Sequence, residues 1–338
     1  LINAKALYQT QDKIWVAKGM KFFAVDYTGK RVSNVYKVGR LKDRLLGCHR
    51  LSSQLLRVGL HHLLPLQNGN ILVTAKRKTY IFNKNGRVVN VWEGYQGNKP
   101  GHQGVCVAPN GSIFFAEYLL NPNRDHDIHL WRSTDNGMTF HVVKTWKAGD
   151  IRHLHFVKWD EYEHCLWLGT GDYGDNGSEN RLYRSADNGD SWELIGQYSQ
   201  DWRAIGVCFT KDALLWGTDA GSCPDTVHFV RMDRKTHKIE ILQDFEGPCH
   251  GCASFADGRA FFSTGVEGGE NEKDNYSRMK EYKDGKCENV WKLQKDFWPL
   301  ILQYGVMRFP LGTDQCDRVV FTTMGLKGHG ECVMIENK

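Results

Sequence analysis

STDNGMTF at residues 133–140 and SADNGDSW at residues 185–192 are two copies of one octapeptide, S-x-D-x-G-x-[TS]-[aromatic], placed 52 residues apart. Each copy lies between two short apolar runs; the first follows Ile128–Trp131 and precedes His141–Val143. Asp accepts hydrogen bonds from the backbone of a tight turn, and Gly adopts the positive φ that such turns need. The pattern therefore predicts a strand, a turn and a second strand in both places.

Weaker forms of this turn recur along the chain, around Gly29, Gly86, Gly285 and residues 233–237. A second turn of the Asn-Gly or Asp-Gly type comes earlier in three of these units, at residues 67–69, 109–111 and 256–258. Each unit thus holds about four short strands in 46 to 57 residues. Repeats of this length and content are typical of propeller blades.

The octapeptide resembles the Asp-box, or BNR repeat, and the chain resembles the sialidase-like β-propeller superfamily. This resemblance implies an all-β fold, a single β-propeller of four-stranded antiparallel blades, with the Asp-box as a peripheral turn between third and fourth strands. We predict one domain over residues 1–338, with a helical insertion at about 40–56. Seven blades are favoured, at 6–38, 58–93, 101–146, 151–197, 202–245, 247–294 and 302–337. The alternative is six full blades and a closing segment, with the ring closed by an N-terminal strand such as Ala6–Tyr8.

Composition excludes several classes of protein. Of 338 residues, 41% are hydrophobic and 25% are charged, as in ordinary globular domains. No apolar run reaches the roughly 18 residues of a transmembrane helix, so we expect no membrane span. The net charge of +5 comes from dispersed residues, which predicts no nucleic-acid partner.

The ten cysteines are scattered, and several lie inside apolar runs. Such cysteines behave as small apolar side chains, which favours reduced thiols packed between blades and a cytoplasmic location. A secreted or periplasmic location is the alternative if an N-terminal signal has been removed.

Two recurring places in each blade are expected to carry function. The first strand of a blade begins at the same rim of the ring at which the second strand ends, and loops at one rim can share a site. Six of the 14 histidines lie where a first strand begins, and Gly-rich loops with a carboxylate or a histidine follow the second strands. We therefore predict a ligand-binding or active site at this rim, the channel mouth.

Arg152 and Arg203 are predicted on adjacent blades, where they suit bidentate recognition of a carboxylate, unless they form salt bridges between blades. Acidic sugars, uronic or sialic acids, are the substrates that an Asp-box propeller with paired arginines implies. The predicted partner is therefore an acidic oligosaccharide or polysaccharide. The predicted substrate-binding residues are Arg152, Arg203, His102, Gln103, Asp172, Glu117 and Glu267.

His153 and His155 are two residues apart on a strand, so both side chains point to one face. Together with His102 and His250, they are the predicted ligands of a divalent metal, Mn, Zn or Ca. This rim resembles that of propeller-type polysaccharide lyases, some of which use a His/Gln metal site. The resemblance implies β-elimination: a metal or an arginine neutralises a uronate carboxylate, and a base removes the neighbouring proton.

Other functions stay open at this point. A sialidase-like hydrolase would recruit carboxylates, but the chain lacks a Phe/Tyr-Arg-Ile-Pro segment and an obvious third arginine. A uronate epimerase would share the proton-abstraction step, and a non-catalytic glycan-binding or assembly propeller is the alternative from a different class. The histidine density of the rim favours an enzyme, a polysaccharide lyase or a glycoside hydrolase. Its predicted catalytic residues are His61, His62, His153, Tyr304 and Asp219.

Overall fold

The computed structural model describes residues 2–172, 177–221 and 227–335. The strands form seven antiparallel sheets of four strands each, and the sheets are the blades of a β-propeller. In blades 1 to 6 the strands follow chain order from the central channel to the periphery. The predicted all-β propeller with seven blades is therefore confirmed.

The blades have the following strands. Blade 1 has β2 (Lys5–Gln9), β3 (Ile14–Lys18), β4 (Lys21–Val25) and β5 (Tyr36–Lys37); blade 2 has β6 (Leu60–Pro65), β7 (Ile71–Ala75), β8 (Lys78–Phe82) and β9 (Val88–Trp92). Blade 3 has β10 (Val105–Val107), β11 (Ile113–Ala116), β12 (Ile128–Ser133) and β13 (His141–Trp146); blade 4 has β14 (His153–Asp160), β15 (Cys165–Gly171), β16 (Leu182–Ser185) and β17 (Glu193–Gly196). Blade 5 has β18 (Cys208–Phe209), β19 (Ala213–Gly217), β20 (His228–Asp233) and β21 (Ile239–Asp244); blade 6 has β22 (Cys249–Ser254), β23 (Ala260–Thr264), β24 (Tyr276–Lys283) and β25 (Lys286–Gln294).

The seventh blade joins the two ends of the described chain. It contains β26 (Val306–Arg308), β27 (Val319–Met324), β28 (Glu331–Ile335) and, as its outermost strand, β1 (Ile2–Asn3). β1 is antiparallel to β28, and Ile2 lies opposite Cys332. An N-terminal strand thus closes the ring, but it is Ile2–Asn3 and not Ala6–Tyr8, which belong to β2 on the channel side of blade 1. The six-blade alternative is wrong.

One apolar core lies between each pair of neighbouring blades, which makes seven cores around the ring. The core between blades 7 and 1 contains Ala6, Val16, Val320 and Cys332, so packing also closes the ring there. Large side chains such as Trp167 are fully buried. Each contributes roughly 1.5–3 kcal/mol of hydrophobic stabilisation.

The two octapeptides form the same turn, between the third and fourth strands of blades 3 and 4. In the second copy, Ser185 Oγ donates to Asp187 at 2.8 Å and accepts from the N–H of Gly189 at 2.8 Å. Asp187 also accepts from the N–H and the hydroxyl of Ser191. The first copy repeats these bonds with Ser133, Asp135, Gly137 and Thr139.

The segment at 40–56 contains two short helices. It consists of α1 (Leu41–Leu46) and α2 (Arg50–Leu55), between blades 1 and 2. Arg50 Nη2 lies 2.5 Å from Asp296 Oδ2, and its guanidinium stacks 4.2 Å above the ring of Trp298. The insertion is thus anchored to the segment that connects blades 6 and 7. Short 3-10 turns occur at Gln200–Trp202 and Thr313–Gln315.

Among the described residues, no helix is both long and apolar enough to cross a membrane. Eight of the nine described cysteines are buried. Cys223 lies outside the described residues.

Candidate active site

Three histidines of the channel mouth occupy equivalent positions in blades 2, 4 and 6. The pairing of the first two strands shifts register at His61, at His155 and at His250, so each histidine is the extra residue of a β-bulge. A bulge interrupts the alternation of side chains and redirects the extra residue, and bulges are frequent next to active sites. A β-bulge in the first strand therefore positions one histidine in each of three alternate blades.

Asp172 follows β15 and binds basic side chains of blades 4 and 5. Arg152 Nη1 lies 2.7 Å from its Oδ2, and Arg203 Nη2 lies 3.1 Å from its Oδ1. The Nε2 atoms of His153 and His155 lie 3.5 Å and 3.2 Å from the carboxylate. Burial would raise the pKa of Asp172, but the hydrogen bonds and charges of the two histidines hold it well below its usual range.

This cluster is nearly closed to solvent: His153, His155, Asp172 and Arg203 are all buried, and Arg152 is largely covered. The arginines predicted to bind substrate therefore bind a carboxylate of the protein itself. For Arg203 this is the inter-blade salt bridge that was the other interpretation of the pair, whereas Arg152 and Asp172 belong to the same blade. His153, predicted as a catalytic residue, is too deeply buried to contact a glycan. We interpret the cluster as a rigid support below the accessible site.

The tautomers of these two histidines follow from their neighbours. Nδ1 of His153 lies 3.0 Å from the carbonyl oxygen of Leu119, and Nδ1 of His155 lies 3.0 Å from that of Ala204. A carbonyl only accepts, so both Nδ1 atoms carry a proton and both Nε2 atoms face Asp172. This is how metal-binding histidines are usually oriented. The two guanidinium groups, however, already occupy the carboxylate and would repel a divalent cation.

The accessible part of the site is centred on His250, the bulge histidine of blade 6. Its Nε2 lies 3.5 Å from Oδ1 of Asp219 and 3.4 Å from Oε2 of Glu267. A side chain at Gly265 would collide with the imidazole ring at 2.3 Å, so glycine makes room for it. Asp219 also lies 3.3 Å from Nη2 of Arg203, which joins His250 to the buried cluster.

The protonation of this group follows from its charges. Burial would lower the pKa of His250, but the hydrogen bond to Glu267 and the charges of Glu267 and Asp219 raise it. Burial raises the pKa of Asp219, although the charges of Arg203 and His250 lower it. Burial also raises the pKa of Glu267, but its contacts with His250 outweigh this and lower it. A proton on His250 is therefore held between two carboxylates.

Two tyrosines border the accessible site. Tyr304 is 49% exposed, and its ring centroid lies 6.3 Å from that of His250. Burial and then the charges of Glu267 and Asp219 raise its pKa, so its hydroxyl stays protonated at neutral pH. On the other side, the ring of Tyr118 packs 4.0 Å from His153. Tyr118 was not among the predicted site residues, although it lies in a loop that follows a second strand.

Several predicted residues are occupied elsewhere. Glu117 is fully buried, and its carboxylate accepts from the N–H of Gln96, the N–H of His129 and the indole of Trp131, so it cannot bind substrate. His62 is also buried, because it lies one residue beyond the bulge. Its Nε2 donates to the carbonyl oxygen of Gly101 at 2.8 Å. Its Nδ1 lies 2.8 Å from the hydroxyl of Thr74, which leaves no nitrogen for catalysis.

His102 and Gln103 cross the central channel. Nε2 of His102 donates to the carbonyl oxygen of Phe309 in blade 7 at 2.8 Å. The Gln103 amide donates to the carbonyl oxygen of Cys252 in blade 6 at 2.9 Å and accepts from the N–H of Val207 at 3.2 Å. These side chains form the floor of the channel mouth. His102 is therefore not brought to the other three histidines that were predicted to share a metal with it.

The other three predicted metal ligands lie in two separate groups of donors, His153, His155 and Asp172, and Asp219, His250 and Glu267. In each group the donor atoms lie within 4.8 Å of one another. Arg203 contacts a carboxylate of both groups, which disfavours a cation in either. His61, predicted as a base, is half-buried in the other half of the mouth, where burial and the charges of Lys99 and Lys5 hold its pKa well below the usual range.

Similarity to solved structures supports the fold. A catalytically inactive histidine-to-alanine variant of virginiamycin B lyase from Staphylococcus aureus, with quinupristin, superimposes with a TM-score of 0.59 at 15% identity, over 98% of this chain and 94% of that chain. The β-propeller domain of Myceliophteria thermophila Cps50 (Swd1) gives a TM-score of 0.57 at 10% identity, over 99% and 96%. The fold is a seven-bladed β-propeller.

A third similar structure is the GH74 enzyme of Niastella koreensis, with a TM-score of 0.57 and 14% identity, over 99% of this chain and 53% of that chain. No protein-family model matches the sequence, and no curated protein does. At such identities the likeness shows the propeller and leaves the chemistry to the residues of the site.

Proposed function

We propose that this propeller is an enzyme that cleaves an acidic, uronic-acid-containing glycan by proton transfer at the channel mouth. The observation that carries the proposal is His250, placed between Asp219 and Glu267 and beside the exposed Tyr304. A histidine with a raised pKa next to a protonated tyrosine supplies the base and the acid that proton transfer requires. The repeated Asp-box turn supports kinship with sialidase-like propellers as a secondary part of this proposal.

Among the cleavage reactions, β-elimination suits these residues best. Unprotonated His250 removes the proton next to the uronate carboxylate, the released electron pair forms a carbon–carbon double bond, and the glycosidic carbon–oxygen bond breaks. Tyr304 donates its proton to the leaving oxygen. Hydrolysis with two carboxylates fits less well, because retaining glycosidases keep their carboxylates about 5–5.5 Å apart with the sugar between them. Here His250 lies between Asp219 and Glu267.

The proposal is tested by incubating the protein with a panel of uronate-containing polysaccharides and a neutral one. The readouts are the ultraviolet absorbance of unsaturated ends and the amount of new reducing ends. We expect both to appear with an acidic polysaccharide and to be lost in His250→Ala. His141→Ala is the matched control, because His141 is exposed on an outer strand.

The other outcomes are equally informative. Reducing ends without ultraviolet absorbance would overturn β-elimination in favour of hydrolysis. Full activity in His250→Ala would overturn the assignment of the base. Binding of the polysaccharides without any product would show a glycan-binding propeller in place of an enzyme.

A further inference from the structure

Three basic side chains at the channel mouth belong to neither group of carboxylates. Lys5 begins β2 in blade 1, Lys99 precedes blade 3, and Arg308 ends β26 in blade 7. All three are half-buried. Within residues 2–172, 177–221 and 227–335, no carboxylate lies at ion-pair distance from any of them, and Nε of Arg308 is buried without a hydrogen-bond partner.

Hydrogen bonds of the backbone and of two histidines bring these residues together. Lys5 Nζ donates to the carbonyl oxygen of Leu60, next to His61. His62 donates to Gly101, which is two residues from Lys99. The neighbouring His102 then donates to Phe309, which follows Arg308.

Blades 7 and 1 are also connected directly, which brings Arg308 near Lys5. The N–H of Ala6, next to Lys5, donates to Oγ1 of Thr322, and Thr322 lies opposite Arg308 in the sheet. Blade 7, blade 1 and the segment that precedes blade 3 therefore present these three cations around one part of the mouth. The carboxylates of blades 4, 5 and 6 lie in the other part.

The charges of this cluster act on one another. Burial lowers the pKa of Lys99 to about 8, with a further contribution from Arg308. Burial, then Arg308 and Lys99, hold the pKa of Lys5 well below its usual range. Burial does the same to His102, and Arg308 adds to it. The histidines are therefore neutral, and the cations repel one another without a counter-charge.

We propose that Lys5, Lys99 and Arg308 form an oxyanion-binding site, which holds the carboxylate of a uronic acid residue at the channel mouth. Arginine and lysine bind carboxylates through charge-assisted hydrogen bonds, and Arg308 has a free buried donor for one. The assignment to a uronate rests on the proposed function, whereas anion binding by these residues does not. The site replaces Arg152 and Arg203, which Asp172 already occupies.

The anion site and His250 are also coupled electrostatically, because the charge of Arg308 lowers the pKa of that histidine. A carboxylate bound there would neutralise Arg308 and remove its lowering effect on the pKa of His250. One half of the mouth would thus recognise the carboxylate of the sugar, and the other half would remove the proton from the adjacent carbon.

Calorimetric titration tests the proposal with three probes: D-galacturonate, neutral D-galactose and inorganic sulfate. The variants are Arg308→Gln and Lys99→Met, and Lys84→Met, in an exposed turn, is the control. We expect galacturonate to bind and galactose not to bind. Each site variant is expected to weaken binding about tenfold or more, the usual effect of losing a charged hydrogen bond.

The outcomes separate this inference from the proposed function. Galacturonate binding that is unchanged in both site variants overturns the anion site, even if polysaccharide is cleaved. Binding that depends on Lys99 and Arg308, without cleavage of any polysaccharide, supports the anion site and refutes the enzyme. Sulfate binding without galacturonate binding supports an oxyanion site and overturns its assignment to a uronate. Circular dichroism of each variant distinguishes lost binding from lost folding.

Discussion

Nε2 of His250 lies 3.4 Å from Oε2 of Glu267, and this contact is one of the main causes of the raised pKa of the histidine. If unprotonated His250 is the base, kcat/KM must rise with pH until the pH exceeds this raised pKa. Glu267→Gln removes the negative charge, so the pKa falls and the rising limb moves to lower pH. We expect a shift of about one unit or more.

The measurement is the pH profile of kcat/KM for wild type and for Glu267→Gln. Glu270→Gln, in the same loop, is the control and should leave the limb in place. If the rising limb does not move in Glu267→Gln, the limb does not report the pKa of a His250 that Glu267 raises.

Asp172 is the only described carboxylate within ion-pair distance of the Arg152 guanidinium, and it contacts Arg203 as well. Asp172→Asn leaves these covered cations partly uncompensated. Breaking a buried ion pair in this way costs about 3–5 kcal/mol. We expect a fall of this size in the free energy of unfolding, measured by urea denaturation.

Asp190→Asn is the matched control for that experiment, because Asp190 is 65% exposed in its pair with Arg132. Exposed pairs contribute about 0–1 kcal/mol. An Asp172→Asn effect no larger than that of Asp190→Asn would contradict the supporting role of the cluster.

The turns made the fold predictable from the sequence, because Asp, Asn and Gly act locally there and recur once per blade. The positions of site residues were harder to predict, because the sequence shows where a residue stands on a strand and not what it bonds. Glu117 and Asp172 both follow a second strand, yet Glu117 accepts from backbone donors and Asp172 binds the guanidinium groups of Arg152 and Arg203.

The bulges explain a second difference. His61 and His62 are adjacent in sequence, but the extra residue of the bulge separates their environments, and only His61 faces the mouth. The cations Lys5, Lys99 and Arg308 escaped prediction because they are single residues on three blades. Lys5 could have been found because it lies at the beginning of a first strand. Arg308 could not, because only the closure of the ring brings blade 7 next to blade 1.

Gly189 packs the second octapeptide turn against the neighbouring blade. Its φ is +84°, and a Cβ there would lie 2.6 Å from Cε1 of Phe114 in blade 3. Gly189→Ala therefore adds a collision to the backbone strain. We expect it to lower the free energy of unfolding by about 1–3 kcal/mol more than the control does.

Gly258→Ala is that control, because Gly258 has a φ of +85° and open space around its Cβ. Urea denaturation of both variants isolates the collision from the strain that they share. Equal losses of stability would show that the contact between the turn and blade 3 is unimportant. Glycan cleavage should be unchanged in both, since both turns lie away from the channel mouth.

Lys99 should take up a proton when an anion binds next to it. With a pKa of about 8, it is half protonated at pH 8. A bound carboxylate raises that pKa, so Lys99 should take up as much as about half a proton from the buffer when D-galacturonate binds at pH 8. Below pH 7 the amine is already charged and its uptake should vanish. His61, His62 and His102 remain neutral at both pH values because their pKa values are lowered.

Calorimetric titration in buffers of different ionisation enthalpy measures this proton count. Lys99→Met should reduce the uptake at pH 8, and Lys84→Met should keep it. Lys5 also has a lowered pKa, so Lys5→Met distinguishes the contributions of the two amines. Uptake that is identical in wild type, Lys5→Met and Lys99→Met would mean that the anion binds away from this cluster.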